Sequence, residues 1–287
     1  MRFPRTGLVI FGIGVLSASS YAALPQASCT VTPFSAPSGY TLTMVNGIDD
    51  AGVVVGQMQD KNGNLVGFTR DTKGNFTTFK MQNSGITWFN RRSSGVNVGS
   101  YQDKAMPPAT HGFAQQGSNT TTVNYPGSTG TWLTGINKTG TVTGNYLKGT
   151  SSKGFSLTNS KYTAIAHSGA LSTNPQAISD TGLVVGYYTD TKTHGFTWKG
   201  GKFTTIDHPK SKYGTLLTDV NTAGVIVGSY LSGDHAWGFI YKNNTFYSVT
   251  YAGAKSASVG GINNNGVIAG QLFYTLSNQP GYTAVCK

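Results

Sequence analysis

Six copies of one glycine-anchored phrase recur along the chain: GIDDAGVVVG from Gly47, FNRRSSGVNVG from Phe89, GINKTGTVTG from Gly135, AISDTGLVVG from Ala177, DVNTAGVIVG from Asp219 and GINNNGVIAG from Gly261. Their closing glycines, Gly56, Gly99, Gly144, Gly186, Gly228 and Gly270, are spaced by 43, 45, 42, 42 and 42 residues. A repeat of this length matches one four-stranded blade of a β-propeller, a unit that cannot bury its own faces and must stack against copies of itself.

Two further phrases keep the same period. Gly67-Phe68 recurs as Gly112-Phe113, Gly154-Phe155, Gly195-Phe196, Gly238-Phe239 and Gly281-Tyr282, and the strand-like Phe203-Thr204-Thr205-Ile206 has counterparts at Phe76, Thr121, Tyr162 and Phe246. The Val-rich runs are apolar at consecutive positions, the pattern of a strand covered on both faces. They are short, β-branched and bracketed by glycine, which argues against helix. The third phrase has only five copies, and Cys29 to Phe34, ahead of the first repeat, supplies a sixth. The expected fold is therefore all-β: a six-bladed β-propeller of four-stranded blades, its ring closed by the N-terminal strand. Closure removes the open sheet edges that would otherwise recruit other chains. It also brings together the only two cysteines, Cys29 and Cys286, an even pair expected to form a disulfide in an exported chain.

Export is read from the N-terminus. Arg2 and Arg5 precede an apolar stretch from Leu8 to Leu16 and a small-residue site at Ser20-Tyr21-Ala22, the layout of a cleaved signal peptide. The expected division is residues 1–22 as signal and 23–287 as one propeller domain. The stretch is too short to span a bilayer, which takes roughly 18 or more apolar residues, so no transmembrane anchor is expected. Localisation is read as secreted, periplasmic or extracellular, and the chain as a monomer.

The phrases G-I-N-x-x-G-x-V-x-G, H-G-F and F-T-T-I-D-x-P, best seen at Asp219 to Gly228, His194 to Phe196 and Phe203 to Pro209, resemble the repeats of the HAF-repeat family of extracellular proteins. The resemblance covers nearly all of the chain after the signal. It implies export and a repeat architecture, and no defined reaction. The second repeat departs from the pattern by carrying Asn90-Arg91-Arg92-Ser93-Ser94 with one extra residue.

Charge bounds the partners. The chain has 21 Lys and Arg against 10 acidic residues, all of them Asp, and a formal net charge of +11. That balance favours an anionic partner, such as an acidic glycan or an envelope component. Nucleic acid is not expected, since no dense basic groove interleaved with aromatics is visible. Two-carboxylate glycoside hydrolysis fares poorly without glutamate and with Asp103, Asp190, Asp207 and Asp234 expected in the loops of separate blades. The repeated Asn or Asp at 49, 90, 137, 221 and 263, with Ser179 as the exception, reads as turn chemistry rather than a calcium cage. Neither metal nor cofactor is expected.

Binding is expected where the copies differ, on the long loops that leave the second and fourth strands at one end of the ring. These loops carry His167, His208, Lys210, Lys212, Tyr213, Tyr101 and Lys104, with Trp132 near the channel mouth. Such a set suits retention of an anionic polysaccharide. It also suits β-elimination by a polysaccharide lyase, with a base abstracting a proton and a cation stabilising the enolate. A structural matrix protein is the third reading. The catalytic residues, if any, are left open.

Overall fold

The computed structural model describes residues 24–233, 235–275 and 278–286. The expected signal peptide, and Asp234, lie outside the described residues. Among those described, the chain forms strands and no helix. The clearest stretch is the fourth quartet, Ser172–Ile178, Val184–Thr189, Thr193–Lys199 and Lys202–Thr205, four antiparallel neighbours joined by tight connections. The same order holds from Tyr40–Ile48 to Phe76–Phe79, from Ser84–Ser93 to Asn119–Val123, from Gly130–Ile136 to Lys161–Ile165 and from Gly214–Val220 to Thr245–Ser248.

A sixth quartet mixes the two ends of the chain. Ser256–Ile262, Val267–Phe273 and Gly281–Cys286 pair in sequence, and Cys29–Phe34 then pairs antiparallel with Gly281–Cys286. Cys29 faces Cys286 in that register, and the two form a disulfide. Just before it, Ala27 N–H donates to the Ser248 carbonyl and Ser248 N–H to the Pro25 carbonyl. The N-terminal segment thus straps the fifth quartet to the sixth. Each first strand packs on the first strand of the next quartet, and Ser256–Ile262 packs on Tyr40–Ile48.

The repeat phrase is explained by what opposes it. Gly228 pairs with Phe239, and the same Gly–aromatic register recurs at Gly56 and Phe68, Gly99 and Phe113, Gly144 and Phe155, Gly186 and Phe196, and Gly270 and Tyr282. A Cβ at Gly228 would fall against the Leu216 carbonyl oxygen and 2.8 Å from the Phe239 ring. The six aromatics are fully buried and form the centre of each inter-quartet layer. Val54 and Val55, consecutive in one strand, are both fully buried, as the unalternating apolar run requires.

The turn after each first strand follows the expected chemistry in five copies. Asp49, Asn137, Ser179, Asn221 and Asn263 each accept the N–H four residues on, at 2.9–3.2 Å. The expectation for Asn90 is corrected. The second quartet replaces the five-residue loop by a two-residue turn at Ser94 and Gly95, both at positive φ. Its first strand therefore runs on to Ser93, and Asn90 sits in a bulge inside that strand.

Joining residues 29 and 286 restrains nearly the whole unfolded chain. Replacing both cysteines by serine is expected to lower the unfolding free energy by about 5–6 kcal/mol in the loop-entropy account, read from urea unfolding of the oxidised and variant proteins.

Candidate functional site

The strand order gives the molecule two ends. First-to-second and third-to-fourth connections emerge at one, the turn end; second-to-third connections and those between quartets emerge at the other, the loop end. Between them runs an axis bordered by the first strands. Every first strand is irregular near its middle, with Asn46, Asn90, Thr134, Gln176, Thr218 and Gly260 at the register breaks. A bulge re-aims the side chain it carries, and four of these reach the next quartet. Asn46 donates to the Phe89 carbonyl, Asn90 to Leu133, Thr134 to Pro175 and Thr218 to Val259, all at 2.7–2.8 Å.

The residue after each break is small in four copies: Gly47, Gly135, Ala177 and Gly261. The second and fifth copies carry Arg91 and Asp219 instead. The Arg91 guanidinium donates to the carbonyls of Asn46, Asn90, Thr218 and Gly260, in the first, second, fifth and sixth quartets. Its Nε lies 3.5 Å from Asp219 Oδ2 without forming a hydrogen bond. Asp219 further accepts the N–H groups of Val220 and Ile262, each at 2.9 Å. Burial pushes the Asp219 carboxyl above the usual carboxylate range, against the pull of Arg91 and those two donors. The small neighbours leave the room: a Cβ at Gly47 would lie 3.2 Å from Arg91, and one at Gly261 would lie 3.0 Å from Asp219 Oδ2.

Sequence reasoning read Asp219 as the start of a repeat phrase and assigned Arg91 no role. The available signal was that the fifth phrase opens on Asp and the second inserts Arg where the other copies have Gly or Ala. Arg91 lines two cavities on the axis. One, of about 370 Å³, opens at the turn end. The other, of about 330 Å³, opens at the loop end.

At the turn end the polar groups are largely spent on one another. Asn137 donates to the Ser179 carbonyl, Asn221 to Asn263 and Asn263 to Asp49, linking quartets in series. Asp180 accepts from Lys138 N–H, Thr222 hydroxyl and Asn264 amide. Arg92 bonds Asp49 Oδ2 at 2.8 Å and Asn97 Oδ1 at 3.0 Å.

The loop-end residues singled out from the sequence do not form one pocket. His208 is almost wholly buried, its ring stacked 3.7 Å from Tyr230 and set edge-on to Phe246. Burial, helped by Lys210, lowers its pKa to about 4. His167 is the equivalent residue one quartet earlier, stacked 3.8 Å from Tyr188, and Tyr125 on Tyr146 is the same pair again. The backbone N–H of Tyr125, His167 and His208 bonds Thr131, Thr173 and Thr215 respectively. These rings therefore belong to a fourth repeated element that the sequence reading passed over. Tyr101 lies against His111, which bonds Asp103 and Asn124. His194 is held between Asp207 at 2.6 Å and Asp190 at 3.3 Å, so these two aspartates, expected in separate blades, meet at the fourth quartet because the connections after its second and fourth strands emerge side by side. Trp132 is half-buried and covers Gly130. Lys104, Lys210, Lys212 and Tyr213 are exposed.

The fold is all-β, and its structural neighbours include β-propeller lectins. A mutant lectin of Aleuria aurantia in complex with Fucα1-6GlcNAc matches with a TM-score of 0.57 at 15% identity, over 86% of this chain and 93% of that one. AofleA from Arthrobotrys oligospora matches with a TM-score of 0.58 at 10% identity, over 89% and 86%. A gluconolactonase from Xanthomonas campestris matches with a TM-score of 0.52 at 10% identity, over 92% and 97%. No family model and no curated protein matches the sequence.

Removing one partner of a buried ion pair leaves the other charge uncompensated. Asp219→Ala is expected to cost about 3–5 kcal/mol. Arg91→Met should cost less in that background than alone, with a coupling of roughly 1–3 kcal/mol in a double-mutant cycle of unfolding free energies. His208 sets a separate pH dependence. The unfolded histidine binds a proton below about pH 6.5, and the folded one only below about pH 4. Between these values the unfolded state holds more protons, so the contribution is whole above pH 6.5 and lost as pH falls to about 4. Urea midpoints should fall over that window by the equivalent of roughly 3 kcal/mol, and His208→Phe should remove that component.

Proposed function

We propose that the protein is an exported, six-bladed β-propeller of the HAF-repeat kind, closed by Cys29–Phe34, that binds an anionic polysaccharide or envelope polymer on its loop end. The observation that carries this reading is a charge imbalance at that end. Lys61, Lys80, Lys104, Lys148, Lys192, Lys210, Lys212 and Lys255 lie in or border its connections, and all are exposed. The described aspartates of the same end are engaged locally. Asp60 bonds Asn62 and Asn64, Asp103 bonds Ala105, Ala109 and His111, and Asp190 and Asp207 hold His194. Among the described residues the only lysine with an ion-pair partner is Lys138, at the turn end. Unpaired ammonium groups spread over a rigid surface attract a polyanion at many points. Tyr213, 61% exposed beside Lys212, offers an aromatic face to a sugar ring.

The likeness to propeller lectins supports carbohydrate as the ligand class. The elimination reading gains no support from the two histidines of the loop-end set, since His167 and His208 are stacked on Tyr188 and Tyr230 within separate quartets. A disulfide between the chain ends fits an oxidising compartment.

Retention on immobilised polyuronate at low salt should be lost as salt rises. Lys104→Gln, Lys210→Gln, Lys212→Gln and Lys255→Gln combined should shift elution to markedly lower salt. Retention unchanged in that variant would overturn the assignment, as would release of an unsaturated, ultraviolet-absorbing product from the polymer.

A further inference from the structure

The loop-end cavity on the axis differs in chemistry from the lysine surface around it. At about 330 Å³ it falls at the low end of small-molecule sites, which span roughly 300–1,000 Å³. Arg91 is the only ionisable side chain in its lining. That guanidinium is already committed to four carbonyl groups and to Asp219. An incoming carboxylate would find no unspent cation, and an ammonium group no carboxylate.

What the wall does offer is amides and hydroxyls. Asn46, Asn90 and Gln176 each place one N–H on a backbone carbonyl behind the lining: Phe89 and Leu133 at 2.7 Å, and Pro175 at 3.2 Å. Those bonds settle which end of each amide is nitrogen. Each then retains a carbonyl oxygen and a second N–H. A hydroxyl group, both donor and acceptor, is the ligand group that uses such a pair fully. Met44 and Phe273 add apolar surface in the same lining, suited to the C–H face of a sugar ring. Met44 is 49% exposed, so this part of the wall reaches solvent.

We infer that this axial well binds a neutral, hydroxylated ligand of about one monosaccharide or alditol. The site is distinct from the lysine surface and does not rest on the polyanion reading. Glucose, galactose, L-fucose and mannitol, with glucuronate as the charged control, are tested against the full chain by ligand-observed NMR and calorimetry. At least one neutral probe should bind, insensitive to salt, and glucuronate should not. Gln176→Met keeps the side-chain volume but removes the amide, and should weaken binding roughly tenfold. Ser258→Phe fills the well from another strand and should abolish binding. It also keeps the test open should Gln176→Met disturb its own strand, with thermal melting as the check on folding. The four-lysine variant should bind the neutral probe as the native chain does. Absence of binding by every neutral probe overturns the inference. So does binding that survives both substitutions in folded protein, or binding that falls with the lysines.

Discussion

Near the middle of each first strand a carbonyl oxygen rests against the glycine that closes the repeat phrase in the second strand, and that glycine pairs with an aromatic residue of the third strand. At Gly228 the two neighbours are Leu216 and Phe239; at Gly144 they are Trp132 and Phe155. A side chain there would push the first and second strands apart. Because these strands close up, the residue at the following register break is turned out of the ladder, and in four quartets its side chain bonds the neighbouring quartet. The same contact that packs a quartet internally thereby fixes its alignment with the next. In the sixth quartet the break position is itself glycine, and a Cβ at Gly260 would meet the Val45 carbonyl oxygen and the Asn46 backbone of the first.

Six near-equivalent positions on an axis would ordinarily produce six near-equivalent surroundings. Arg91 and Asp219 break that equivalence. They occupy the second and fifth copies of one position, and the guanidinium collects carbonyl oxygens from four quartets. A buried charge survives only when its hydrogen-bonding capacity and its charge are both met. Here the bulge carbonyls take the two terminal nitrogens of Arg91, and Asp219 supplies the countercharge 3.5 Å from its Nε. The consequence is a partition of the axis into a turn-end cavity rich in committed charges and a loop-end cavity lined by neutral polar groups.

Much of the architecture was legible in the sequence because repeat spacing, turn residues and Gly–aromatic pairs are local signals. The Cys29 and Cys286 pairing follows from a strand missing at one end and spare at the other. The site was less legible. His167 and His208 read as reactive loop residues because histidine in a loop is usually solvated. Stacking on Tyr188 and Tyr230, one strand away, makes them packing residues, and loop sequence carries no trace of that partner. Asn90 read as a turn residue because it aligns with turn asparagines, until the shortened loop at Ser94 and Gly95 shifts it into the strand.

The sequence by itself determined the repeat, its four-strand content, the tight turns and the excess of lysine, since each depends on residues close together in the chain or on composition. Only the tertiary structure decided which charges remain available. Whether an aspartate is free or committed depends on partners such as Asp103 and His111 across a loop, or Arg91 and Asp219 across the axis, 128 positions apart in the numbering. Proximity of that kind arises from stacking the quartets, and no local pattern records it.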